Sequence, residues 1–109
     1  MIGGFIIVTQ PTRVIVRAIG PSLAQFGVPD ALANPTLELR DSNGALLLAN
    51  NDWQDDPAQA AELTAAGLAP SNNLESGLAL TLSPGLYTAL VAGVNNTTGN
   101  AVVEAYALP

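Results

Sequence analysis

The sequence predicts an all-β domain, an antiparallel sandwich or jelly roll of about seven to eight strands with one short helix near residues 57–66. Three observations carry this. Short β-branched or apolar runs recur along the chain. Turn-forming clusters punctuate them about every 8–12 residues, the spacing of sandwich strands. Only one stretch has the composition of a helix. At 109 residues the chain suits a single domain spanning residues 1–109.

In order, residues 4–9 and 13–19 are strand-like runs separated by Gln10-Pro11-Thr12, which predicts a hairpin. Gly20-Pro21-Ser22 breaks the pattern, and residues 23–33 form an irregular connection with one helical turn. Residues 36–40 and 45–49 flank Asp41-Ser42-Asn43-Gly44, whose Asn-Gly pair tolerates the positive φ of a tight turn. Residues 57–66 start with a proline in the first turn, continue with strong helix formers and end before Gly67, with Asp55 or Asp56 placed to cap the start. Residues 78–82 and 86–93 flank Ser83-Pro84-Gly85, and residues 101–108 form the last strand. Leu37-x-Leu39-x-x-Ser42-x-Gly44 is echoed by Leu78-x-Leu80-x-x-Ser83-x-Gly85, and shared hairpin syntax accounts for the echo more simply than duplication does.

Composition excludes several functions. Hydrophobic residues make up 49% of the chain and charged residues 11%, against about 25% charged in ordinary domains. Lysine and histidine are absent, the three cations are Arg13, Arg17 and Arg40, and the net charge is −6. That balance argues against nucleic acid and anionic membrane surfaces. The chain has no cysteine, which rules out disulfides and thiolate metal sites. No apolar run reaches the length for membrane insertion, and the apolar start through Val8 lacks the basic leader of a signal peptide. Without His, Cys or Lys the usual catalytic bases and activated nucleophiles are missing, so no enzyme is expected.

The run "RVIVRAIGPSLAQFGVPDALANPTLELRDSNGALLLANNDW", followed by "LESGLALTLSPGLYTALVAGVNNTTGNAVVEAYAL", resembles a family of β-sandwich repeat modules found in large exported proteins of environmental bacteria. Its second half is distantly similar to pre-peptidase C-terminal domains. The marks are Asp41-Ser42-x-Gly44, Asn51-Asp52 after an apolar strand, Leu82-x-Pro84-Gly85-x-Tyr87-Thr88, and Gly93 with Thr98-Gly99 before the final strand. The resemblance implies a β-sandwich, secretion to an extracellular or cell-surface location, and attachment to larger proteins; some relatives bind calcium or polysaccharide. Such modules carry further residues before the "IGGFII" strand, so a chain starting there is expected to leave a sheet edge unpaired.

Candidate sites centre on "NNDWQDD", residues 50–56. Asp41, Asn43, Asn51, Asp52, Asp55 and Asp56, with Asn50, are oxygen donors of the class calcium takes, and calcium is the one cofactor this set suits, none being required. Turn and cap roles explain the same residues more simply. An exposed Trp53 could stack on a sugar ring of a polysaccharide. Arg17 shares a face with Ile15 and Ile19, so it is either a buried guanidinium that needs Glu104 or Glu75 as its ion partner or a surface arginine whose head reaches water. Asn95-Asn96-Thr97-Thr98 contains two overlapping glycosylation sequons, which loop chemistry also accounts for.

The most informative feature is an excess of apolar faces. Residues 5–8 and 45–49 are apolar on both sides, 86–91 and 101–103 nearly so, and a two-layer sandwich of this size is expected to have no second core to hide them. Either small alanines are tolerated outside or another subunit or domain covers these faces, and in the second case the expected partners are copies of the chain itself or adjacent modules. Ile2, Phe5, Ile6, Ile7 and Val8 are the expected assembly strand, donated to a neighbour's edge and able to propagate a filament.

Overall fold

A computed structural model describes all of Met1–Pro109. Seven strands form two antiparallel sheets: β1 (Ile2–Ile7), β2 (Thr12–Ile19), β3 (Pro35–Arg40), β4 (Leu46–Asn50), β5 (Ser76–Leu82), β6 (Gly85–Gly93) and β7 (Val102–Ala107). A four-stranded sheet has the order β1-β6-β3-β4 and a three-stranded sheet the order β5-β2-β7. The helix α1 (Pro57–Ala65) and a 3-10 turn at Pro21–Phe26 lie between strands. The all-β sandwich with one short helix is therefore the fold.

The sheets meet over a core in which Val14 and Val16 of β2, Leu37 and Leu39 of β3, and Ala89 and Val91 of β6 interlock. Burial of Leu37 and Leu39, both with no exposed surface, contributes about 1.5–3 kcal/mol each. Alternation is clean in β3, where the inward leucines are buried and Thr36, Glu38 and Arg40 face outward.

Two expected hairpins are corrected. β1 pairs with β6, and β2 pairs with β5 and β7, so the segment at Gln10-Pro11 carries the chain from one sheet to the other. Ser83-Pro84 does the same between β5 and β6. Only β3–β4 is a local hairpin, with Gly44 at φ +80° as its Asn-Gly turn requires. The echo between Leu37–Gly44 and Leu78–Gly85 thus joins a hairpin to an inter-sheet arch, not two copies of one unit.

The expectation that the domain has no second core is also corrected. Ile15 and Ala79, on the outer face of the three-stranded sheet, pack with Trp53 and Leu63 into a separate buried cluster. The helix forms where Asp56 accepts hydrogen bonds from the Ala58 and Gln59 amides at 3.0 and 3.3 Å, and ends before Gly67 at φ +72°. It covers the outer face of β2 and β5, which was not among the apolar runs singled out in the sequence.

Candidate functional site

The residues of "NNDWQDD" divide among structural tasks. Asn50 Oδ1 accepts from the Gly77 amide at 3.0 Å, and its Nδ2 donates to the Asp52 carbonyl at 3.0 Å. The Asn51 carbonyl accepts from the Ser76 hydroxyl. The Trp53 amide donates to the Glu75 carbonyl at 2.9 Å. Its ring lies in the second core with only 8% of the residue exposed. A sugar cannot stack on a ring face that is already covered, so the glycan role of Trp53 is corrected: the tryptophan pins the loop to the sheet.

The expected calcium donors are not brought to one place. Asp41 and Asn43 lie in the β3–β4 turn, whereas Asn51, Asp52, Asp55 and Asp56 follow the far end of β4. Five residues of extended strand, Leu46–Asn50, separate the two groups by about 15 Å. Asp41 Oδ1 is occupied by the amides of Asn43 and Ala45 at 2.9 and 3.0 Å, and Asp56 by the helix start. Asn51 Oδ1 and Asp52 Oδ1 are different: both are buried and have no hydrogen-bond partner.

Arg17 and Glu104 face each other on neighbouring strands and pair at 2.5 Å. The guanidinium also donates to the Leu68 carbonyl at 3.0 Å and lies 5.4 Å from the centre of the Tyr106 ring. Glu75, the other candidate, is elsewhere. It is fully buried, and Oε2 accepts from the amides of Gly20 and Ser22 and the Ser22 hydroxyl at 2.9, 3.0 and 2.6 Å. Oε1 accepts from the Asn72 amide at 3.2 Å. Four donors replace a counter-ion, tying the turn after β2 to the start of β5. Sequence reasoning missed this role because the donors are mostly backbone amides, which any residue type supplies.

The other two arginines are also paired within the chain, Arg13 with Glu62 and Arg40 with Glu38. The Glu62 hydrogen bond raises the Arg13 pKa, and the reciprocal bond from Arg13 holds the Glu62 carboxyl below its ordinary range.

One surface remains without a cover. On the outer face of the four-stranded sheet, Ile2, Ile6 and Leu86 are 72%, 64% and 53% exposed, and Val8, just past the end of β1, is 76% exposed. Leu46 and Leu47 of β4 extend the apolar patch at its other margin. Glu38 and Arg40 lie between them and neutralise one another, with Arg40 Nη2 2.9 Å from Glu38 Oε1.

The sheet margins also differ. The β5 edge is occupied by side chains: Gln59 of α1 accepts from the Ala79 amide at 2.6 Å and donates to the Ala79 carbonyl at 2.8 Å, while Asn50 takes the Gly77 amide. These amides imitate an eighth strand and block pairing there. The β4 margin is interrupted by a register shift opposite Leu39 and Arg40. The β1 margin has neither device. Within the single chain, residues 2–7, the core of the expected assembly strand, complete the sheet against β6 and are anchored by two bonds between Met1 and Val91.

Comparison with protein families, curated proteins and solved structures returns no match. No helix is long and apolar enough to cross a membrane.

Proposed function

We propose that the chain is a non-catalytic extracellular structural module that assembles with copies of itself or with adjacent modules through the bare face of its four-stranded sheet. The observation that carries this reading is the unequal treatment of two apolar faces. One has a helix, a tryptophan and edge-blocking amides laid over it, and the other has nothing. Exposed apolar patches of this kind mark interaction surfaces.

Charge supports like-with-like association. The six carboxylates without an arginine, Asp30, Asp41, Asp52, Asp55, Asp56 and Glu75, all lie outside the strands. The bare face carries one cancelled pair, so two acidic copies can approach there without the repulsion they meet elsewhere. The absence of His, Cys and Lys, and the full hydrogen-bonding of the buried Glu75, support a non-catalytic role. The resemblance to modules of exported proteins supports an extracellular location.

Sedimentation velocity over a concentration series tests the assembly, with Leu86→Lys as the probe. Leu86 is exposed enough for a lysine to extend into water without disturbing the core. The wild type should gain mass with concentration and the variant should gain markedly less. A wild type that is monomeric throughout would refute the reading.

A second reading, a monomeric accessory module that binds calcium, is favoured by the partnerless Asn51 Oδ1 and Asp52 Oδ1, since buried oxygens rarely go without a partner. Calorimetric titration with calcium, alongside a thermal-shift assay, tests it. Neither heat nor a shift would remove it.

A further inference from the structure

We infer that two copies of this chain join β1 to β1 in antiparallel fashion about a two-fold axis at Gly4, fusing their four-stranded sheets into one of eight strands. The inference rests on the reading that the chain self-assembles and names the edge and register by which it does so.

The hydrogen-bond parity of β1 fixes which groups are free. Met1 and Val91 exchange both backbone bonds, at 3.0 and 2.9 Å. In an antiparallel ladder such pairs recur at every second residue. Gly3, Phe5 and Ile7 therefore bond to β6, and the N–H and C=O groups of Ile2, Gly4 and Ile6 point outward along the unpaired margin. Pairing these three residues with a second copy places Ile2 opposite Ile6 of the partner subunit, Gly4 on the axis, and Ile6 opposite Ile2 of the partner subunit. Every outward donor then meets an acceptor.

Self-pairing has support beyond parity. β1 contains no charge and no proline, and the chain has no lysine anywhere to act as an edge guard. In a chain of net charge −6 an uncharged edge is one that a like copy can approach. The β7 edge, by contrast, carries the charged Glu104.

The two glycines point the same way. Gly3 is explained inside the chain, because a Cβ there would meet Val103 Cγ1 at 2.8 Å. Gly4 is not: the nearest atom to a Cβ would be the Tyr87 carbonyl oxygen at an ordinary 3.7 Å. Across the two-fold, the missing side chain lets the isoleucines of both strands close over the axis. Gly3 meanwhile comes opposite Phe5 of the partner subunit, an aromatic–glycine pairing that stabilises otherwise weak glycine positions in sheets.

Because the chain has no cysteine, single-cysteine variants read the register directly. A hydrogen-bonded antiparallel pair holds its Cα atoms about 5.5 Å apart, inside the disulfide range of about 4.4–6.8 Å. Gly4→Cys, which has room for its side chain, should oxidise to a covalent dimer. Ile2→Cys should not, since its own copy lies about 13 Å away along the strand. Gly4→Pro removes an outward N–H that no intrachain bond uses, and circular dichroism reports whether the fold is kept. Folded Gly4→Pro should lose the edge dimer.

A wild type that assembles, together with Gly4→Cys that stays uncrosslinked or crosslinks no better than Ile2→Cys, would overturn the edge inference and leave assembly by the face intact. Assembly undiminished in folded Gly4→Pro would overturn it likewise. A wild type that never associates would overturn both readings.

Discussion

The two sheets expose outer faces of similar apolar character and treat them in opposite ways. On the three-stranded sheet, Ile15 and Ala79 lie beneath Trp53 and Leu63, and the β5 edge is closed by Gln59 and Asn50. On the four-stranded sheet, Ile2, Ile6 and Leu86 meet solvent, and β1 ends the sheet unguarded. The difference shows that apolar content on a strand does not say where its cover comes from. One face is closed by a loop and a helix from within the chain, whereas the other stays open to solvent.

The largest expected effect lies where the covered side is anchored. Glu75→Ala should destabilise the fold by about 4 kcal/mol, because three buried donors and one part-buried donor lose their acceptor together. Urea denaturation measures it, and a loss too small to resolve would show that water replaces the carboxylate. Next comes a matched pair that tests the contrast itself. Leu63→Ala, in the second core, should cost about 3 kcal/mol. Leu86→Ala, on the bare face, should leave monomer stability almost unchanged while weakening association. Equal stability losses in the two variants would dissolve the distinction between the faces.

A smaller change should follow from Gln59→Ala. It removes two bonds from the β5 margin, at a cost of about 1–2 kcal/mol. It should also convert a protected edge into a sticky one, visible as new oligomers by light scattering. The smallest effect concerns the Arg13–Glu62 pair. Because the Glu62 carboxyl is held low in the folded state, its contribution is complete above about pH 5 and fades as pH falls through the folded value. The pair is partly exposed, so the loss should stay below about 1 kcal/mol. Glu62→Gln should flatten that part of the stability–pH curve, and an unchanged curve would show that the pair is inert.

What the sequence made legible was local. Asp56-Pro57 and Gly67 mark the helix because caps act over one turn, and Asn43-Gly44 marks the one true hairpin because its turn geometry is set by adjacent residues. Which sheet receives β1, or what lies across from β5, depends on pairings between distant segments, and the turns at Gln10-Pro11 and Ser83-Pro84 look the same whether they close a hairpin or an arch. The second core had a signal that could have revealed it: Val14-Ile15-Val16 is apolar on both sides in a strand that proves to be central, and Ala60, Leu63 and Leu68 offer a matching surface. Trp53 misleads for the same reason, since its polar neighbours suggest exposure and only the tertiary contact buries it. Of the site residues, Arg17 with Glu104 could be narrowed to two partners, while Glu75, Asn50 and Gln59 act on backbone groups and leave no mark in residue spacing.

The strand order also governs how the molecule comes into being. Of its five ladders only one joins consecutive strands, and the outer sheet cannot close until β6 slides between β1 and β3. Such distant closures carry a large entropy cost before any contact repays it, which places folding on the order of milliseconds to seconds rather than microseconds. During synthesis, β1 and β3 wait apart until Gly93 has emerged and β2 lacks a flank until Ala107 has followed, so the nascent domain stays open to misassociation until its last strand is in place.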